Sequence, residues 1–119
     1  MGINKDLGLP FGDGMEKVAV CFDVDGTLID EEKTYDTMRT MLAMFVNQKW
    51  KNVKIVVWSG GGADYARTIV NRLLPGLVDK ITFASKLDHE NIAKKYRIIA
   101  IDDVQDTRLG DINLIVRNK

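Results

Sequence analysis

Val18-Ala19-Val20-Cys21-Phe22-Asp23-Val24-Asp25-Gly26-Thr27 decides the fold. Five apolar residues in a row are broken by two carboxylates and a glycine. That pattern reads as a short strand buried on both faces that ends at a polar edge. Strands of this kind belong to parallel sheets covered by helices on both sides. Working outward, further apolar runs at 53–58, 80–84, 97–101 and 112–116 read as four more strands. Between them the apolar period changes. Tyr35, Met38, Met41, Leu42, Phe45 and Val46 recur at helical spacing within 31–49. Residues 63–74 repeat that period and close on Pro75-Gly76, and Asp88 can cap a helix running to about Tyr96. Alternating strands and helices specify an α/β fold, a Rossmann-like three-layer α/β/α sandwich with a parallel sheet of about five strands.

The chain of 119 residues suits one domain. A domain of this size buries roughly 65% of its unfolded surface, enough for a core without staples. Residues 1–15 hold four of the ten glycines and Pro10, so they read as an irregular leader to a core domain at 16–119. Lys plus Arg and Asp plus Glu each number 17, for a net charge of zero. Neutrality gives no electrostatic reason for a membrane or nucleic-acid partner, although a local basic patch stays open. One cysteine, Cys21, excludes a disulfide framework and points to a reducing compartment. No apolar run approaches the ~20 residues that span a bilayer, and no hydrophobic signal region stands near the start. The expected location is the cytoplasm.

Ligands of open α/β sheets bind at the carboxyl ends of the strands. Asp23 and Asp25 follow the first strand, Ser59 and Gly60-Gly61-Gly62 the second, Ser85-Lys86 the third, Asp102-Asp103 the fourth. The chemistry-bearing residues therefore gather on one edge. Residues i and i+2 of extended backbone share a side, so the carboxylates of Asp23 and Asp25 can converge. Asp102 and Asp103 bring more negative charge there, and Asp106 is a further candidate. Oxygen donors without His or Cys suit a hard cation, Mg²⁺, better than zinc. Lys86 adds a fixed positive charge, and Ser59 with the N–H groups near Gly60 offers donors to phosphoryl oxygens. Asp-x-Asp-Gly alone also opens a calcium loop, but that loop needs a later Glu and flanking helices. The triple glycine is no Walker loop, because no Gly-Lys-Ser/Thr follows. Trp58 and Cys21 are read as core residues, and the lone His89 as a surface residue.

Cys21-Phe22-Asp23-Val24-Asp25-Gly26-Thr27-Leu28 resembles the first motif of the haloacid-dehalogenase (HAD) superfamily. Val56-Val57-Trp58-Ser59 is similar to its second, Lys86 to its third and Ile99-Ala100-Ile101-Asp102-Asp103 to its fourth. The resemblance spans Val18 to about Val116. It implies a phosphatase in which Asp23 is the nucleophile and Asp25 the general acid, then the general base. It also implies Mg²⁺ held by Asp23, the backbone carbonyl of Asp25 and Asp102, with Asp103 close by, and a phosphoryl group held by Ser59, Gly60 and Lys86. An Asp two residues after the nucleophile goes with phosphoryl transfer rather than dehalogenation. Two other readings stay open: a silent phosphate-binding or regulatory domain with the same fold, and a phosphotransferase passing the group to another alcohol.

Family members often carry a cap domain after the first motif or between the second and third. Residues 30–52 and 60–86 leave no room for one. An uncapped site either accepts a large phosphorylated substrate, nucleic acid included, or borrows a cover from another subunit of a homo-oligomer.

Overall fold

The first strand, β1 (Val18–Asp23), is the middle strand of the sheet, as its unbroken apolar run requires. The computed structural model describes residues 16–106 and 108–118, so the expected leader at 1–15 lies outside the described residues. A small antiparallel hairpin follows, β2 (Ile29–Asp30) and β3 (Lys33–Thr34). Then come α1 (Asp36–Gln48), β4 (Val53–Ser59), α2 (Ala63–Leu73) and a 3-10 turn at Pro75–Lys80. The remainder is β5 (Thr82–Ser85), a 3-10 turn at Lys86–Asp88, α3 (His89–Ala93), β6 (Arg97–Asp102) and β7 (Ile112–Ile115). Five strands form one all-parallel sheet in the order β5-β4-β1-β6-β7.

This order reverses direction beside β1. The chain runs outward from β1 to β4 and β5, then returns to build β6 and β7 on the other side. Such a reversal leaves a crevice at the strands' carboxyl ends, between β1 and β6. Asp23 pairs with Trp58 of β4, and Asp102 directly follows Ile101, the partner of Phe22. The register alone thus brings Asp23 and Asp102 side by side at the crevice.

The core has two layers of unequal weight. On one face, Val20, Phe22, Val57 and Ile101 pack with Met38, Leu42 and Val46 of α1 and with Ala66, Ile69 and Val70 of α2. Positions 38, 42 and 46 stand four apart, one stripe of α1. On the other face Ala19, Cys21, Trp58, Ile98 and Ala100 meet the partly buried Ile92, Tyr96 and Leu109. Trp58 is fully buried there, with its ring 6.2 Å from that of His89. His89 is therefore half-buried against the core rather than a free surface residue.

Three boundaries differ from the sequence reading by more than one residue. The first helix begins at Asp36, because residues 29–34 form the hairpin and the Tyr35 N–H donates to the Leu28 carbonyl. Residues 80–81 precede the third sheet strand instead of opening it, since Pro75 starts a 3-10 turn that runs to Lys80. The helix after Asp88 stops at Ala93. Between β1 and β4 the chain adds only the hairpin and α1, and between β4 and β5 only α2 and the 3-10 turn. Neither connection holds a cap domain.

Candidate active site

The loop after β1 builds the site. Three N–H groups, of Thr27, Leu28 and Ile29, converge on the Val24 carbonyl, at 3.3, 2.9 and 3.2 Å. This tight turn puts Gly26 at φ +87°, a left-handed conformation that costs an L side chain energy. A Cβ at Gly26 would also lie 2.1 Å from Oδ2 of Asp103. Glycine here leaves room for the Asp103 carboxylate, just after β6, to close on the β1 loop. Beyond the loop, Nδ2 of Asn118 donates to the carbonyls of Gly26 at 2.8 Å and Thr27 at 3.2 Å. The segment after β7 thereby pins the turn.

Asp23 is almost completely buried, at 5% exposure. Its Oδ1 lies 2.7 Å from the Lys86 ammonium, and its Oδ2 accepts from the Thr27 hydroxyl at 3.2 Å. The same Lys86 Nζ donates to Asp102 Oδ2 at 2.9 Å. Lys86 reaches this position because Ser85 caps the 3-10 turn that follows β5, accepting from the Leu87 N–H at 3.1 Å. The neighbouring Lys94 and Lys95 line a separate cavity with Glu16, which precedes β1, and Arg97, the first residue of β6. Asp102 Oδ1 also accepts from the Val104 N–H at 3.1 Å. The carboxylates of Asp23, Asp102 and Asp103 offer one oxygen each, all within 4.8 Å of one another.

Three carboxylates stand against one ammonium, and burial and their mutual contacts shift the acidities. Burial pushes Asp23 up to about 7; Lys86 opposes the rise, while Asp102 and Asp103 add to it. Asp103 is raised as well, by burial and by its hydrogen bond to Asp102. Burial acts against Asp102 too, but hydrogen bonds from Lys86 and the Val104 N–H outweigh it and hold its pKa below the ordinary value. Lys86 is raised: burial disfavours its charge, and the bonds to Asp23 and Asp102 overcome that. It stands in the cluster as an ammonium. The donor set, oxygen only and short of positive charge, fits a hard divalent cation.

The other expected residues fall around this cluster. Ser59 is buried, and its Oγ accepts from the Gly61 N–H at 2.9 Å, which shapes the glycine turn. Gly60 has nothing within 4 Å of where a Cβ would stand, so its backbone faces open space. Asp25 is exposed, its Oδ1 accepts from the Tyr65 hydroxyl at 2.7 Å, and its carboxylate is not one of the three that lie within 4.8 Å of one another. Its contribution to a cation would therefore come from its backbone carbonyl. Asp106 sits at the rim, where Arg108 holds it through Nε and Nη2 at 3.0 and 3.1 Å. Arg108 lowers its pKa, and it stands outside the close carboxylate group. One pocket of about 530 Å³ is lined by Asp23, Asp25, Ser59, Gly60, Lys86 and Asp102, among others.

Sequence reasoning passed over Thr27, Tyr65 and Asn118 as site residues. Thr27 carried a signal, since it stands four residues after Asp23 on the same turn. Tyr65 and Asn118 reach the site only through the fold.

A parallel sheet in this order, with its polar cluster at the reversal point, defines a doubly wound α/β protein. No protein-family profile, no curated protein and no solved structure matches this chain. Among the described residues, no helix is long and apolar enough to cross a membrane.

Proposed function

We propose that this protein is a Mg²⁺-dependent phosphatase that hydrolyses a phosphomonoester through an aspartyl-phosphate on Asp23. The observation that carries the proposal is the Lys86 ammonium bridging Asp23 and Asp102, at 2.7 and 2.9 Å, in a pocket shared with Asp25 and Ser59. A buried carboxylate held by a cation and a hydroxyl, beside further carboxylates, suits attack on a phosphoryl group brought in with its own counter-ion.

Asp23, Asp102 and Asp103 would hold Mg²⁺, with the Asp25 carbonyl. When bound, the ion supplies the positive charge that three carboxylates and a phosphate dianion require. An oxygen of the Asp23 carboxylate forms the bond to phosphorus as the ester P–O bond breaks. The leaving oxygen takes a proton from Asp25. Asp25, now a carboxylate, accepts a proton from water, and the water oxygen bonds to phosphorus. The bond from phosphorus to Asp23 breaks and phosphate leaves. Thr27 and Lys86 fix the plane of the Asp23 carboxylate throughout. Lys86 and the Ser59 turn meet the non-bridging oxygens.

The test is turnover of an aryl phosphate with Mg²⁺ by wild type and Asp23→Asn. The substitution keeps the shape of the side chain and removes its nucleophilicity. Activity should fall by about a thousandfold or more, with an unchanged circular dichroism spectrum. Full activity in Asp23→Asn would end the assignment.

A further inference from the structure

A second cavity adjoins the reaction pocket. It measures about 620 Å³ and is lined by Asp25, Asp30, Tyr35, Asp103, Arg117 and Asn118, with Gly26 and Val116. Asp25 and Asp103 line both cavities. The second one lies between the β2–β3 hairpin, which supplies Asp30, and the segment after β7, which supplies Arg117 and Asn118.

Resting on the phosphatase reading, we infer that this groove receives the leaving group, and that the leaving group is a neutral, hydroxyl-rich one such as a sugar or polyol. The position follows from Asp25. A proton donor must meet the ester's bridging oxygen, and Asp25 lines both cavities, so the group beyond that oxygen has this groove beside it.

The class follows from the lining. Asp30 is exposed, and its Oδ2 accepts from the Tyr35 hydroxyl at 3.2 Å, while Oδ1 has no partner among the described residues. Asn118 spends Nδ2 on Gly26 and Thr27, so its Oδ1 is left as an acceptor. Arg117 is exposed and brings the donors. Acceptors and a guanidinium lining one groove suit a chain of hydroxyls, each of which donates and accepts. An apolar leaving group finds little to bury against, since Tyr35 is itself buried and Val116 is the remaining apolar side chain. A leaving group with further phosphates meets Asp25, Asp30 and Asp103.

The experiment compares sorbitol 6-phosphate, phosphoethanolamine and p-nitrophenyl phosphate on wild type, Asp30→Asn and Arg117→Ala. Wild type should prefer the polyol ester in kcat/KM. Each variant should lose about tenfold on it, the size of one charge-assisted hydrogen bond, and keep its rate on the aryl ester. Equal losses on every ester, or a preference for phosphoethanolamine, overturns the assignment. Plain sorbitol, titrated at millimolar concentrations with amide shifts as the readout, tests the groove without turnover. It should move Asp30, Tyr35 and Arg117 in wild type and not in Asp30→Asn. Sorbitol shifts with no hydrolysis of any ester would sink the phosphatase reading and leave the groove standing. Unmoved amides in an active enzyme would sink the groove alone.

Discussion

Gly26 shows how much one residue can be asked to do. Its positive φ turns the chain after β1, and its missing Cβ leaves room for Asp103. Gly26→Ala should cost about 1–2 kcal/mol of stability from backbone strain, read as a lower urea midpoint. It should also displace the Asp103 carboxylate and raise the Mg²⁺ concentration needed for half-maximal activity. Wild-type Mg²⁺ dependence in that variant would contradict the close approach. Tyr65 acts more gently. Its hydroxyl holds Asp25 in a fixed direction, and that bond is the first cause of its own raised pKa. Tyr65→Phe should lower kcat several-fold, with little change in stability, since one hydrogen bond at an exposed carboxylate is worth about 1 kcal/mol. The two residues also mark what the sequence discloses. Gly26 belongs to a local motif and can be read in place. Tyr65 stands 40 residues from Asp25, and nothing near either residue announces the contact. The same holds for Asn118, which is 92 residues from Gly26.

At the scale of elements, the strands were legible because a buried parallel strand is an unbroken apolar run. Asp23, Ser59, Lys86 and Asp102 were legible because each stands at the end of one or just past it. The hairpin was not. Tyr35 anchors the start of α1 and also falls on its apolar stripe, so helical period extended the helix back over residues that pair as β2 and β3. The helix after β5 shrank for a related reason: a capping Asp88 marks a start but does not fix the length. The β6–β7 junction depends on Asp111, whose Oδ2 accepts from the Ile98 N–H at 2.8 Å. That bond lowers its pKa, with help from Arg97 against the effect of burial. A carboxylate depressed in the folded state adds stability above its unfolded pKa and loses it as pH falls through the folded value. Asp111→Ala should therefore lower the urea midpoint at pH 7. Its difference from wild type should shrink below about pH 4, the ordinary Asp range. A difference that stays constant down to pH 2 would assign the effect to packing instead.

For the whole molecule, the sheet divides the interior into two apolar layers. Cys21 lies fully buried in the thinner one with Trp58 and Ala100. Burial pushes its thiol up to about 12, far from the thiolate that reacts. A disulfide reagent should leave native protein unlabelled and label it in urea along the unfolding curve. Rapid labelling of the native state would mean that the thin layer opens readily. The reversal of strand order beside β1 was the one global feature that alternation alone could not supply. Alternation specifies parallel strands, but on which side of β1 the chain returns depends on packing across the whole sheet.

The central place of β1 also governs how the protein comes into being. It is the first strand among the described residues, yet its neighbours start at Val53 and Arg97. Both pairings are distant in sequence, so the loop entropy of bringing them together must be met before the sheet rewards it. Folding should be slow for a domain of this length, and β1 has both of its neighbours only once β6 has joined. Until then the apolar run 18–22 stays available to other unfinished chains, and aggregation competes with folding at the strand that bears the proposed nucleophile.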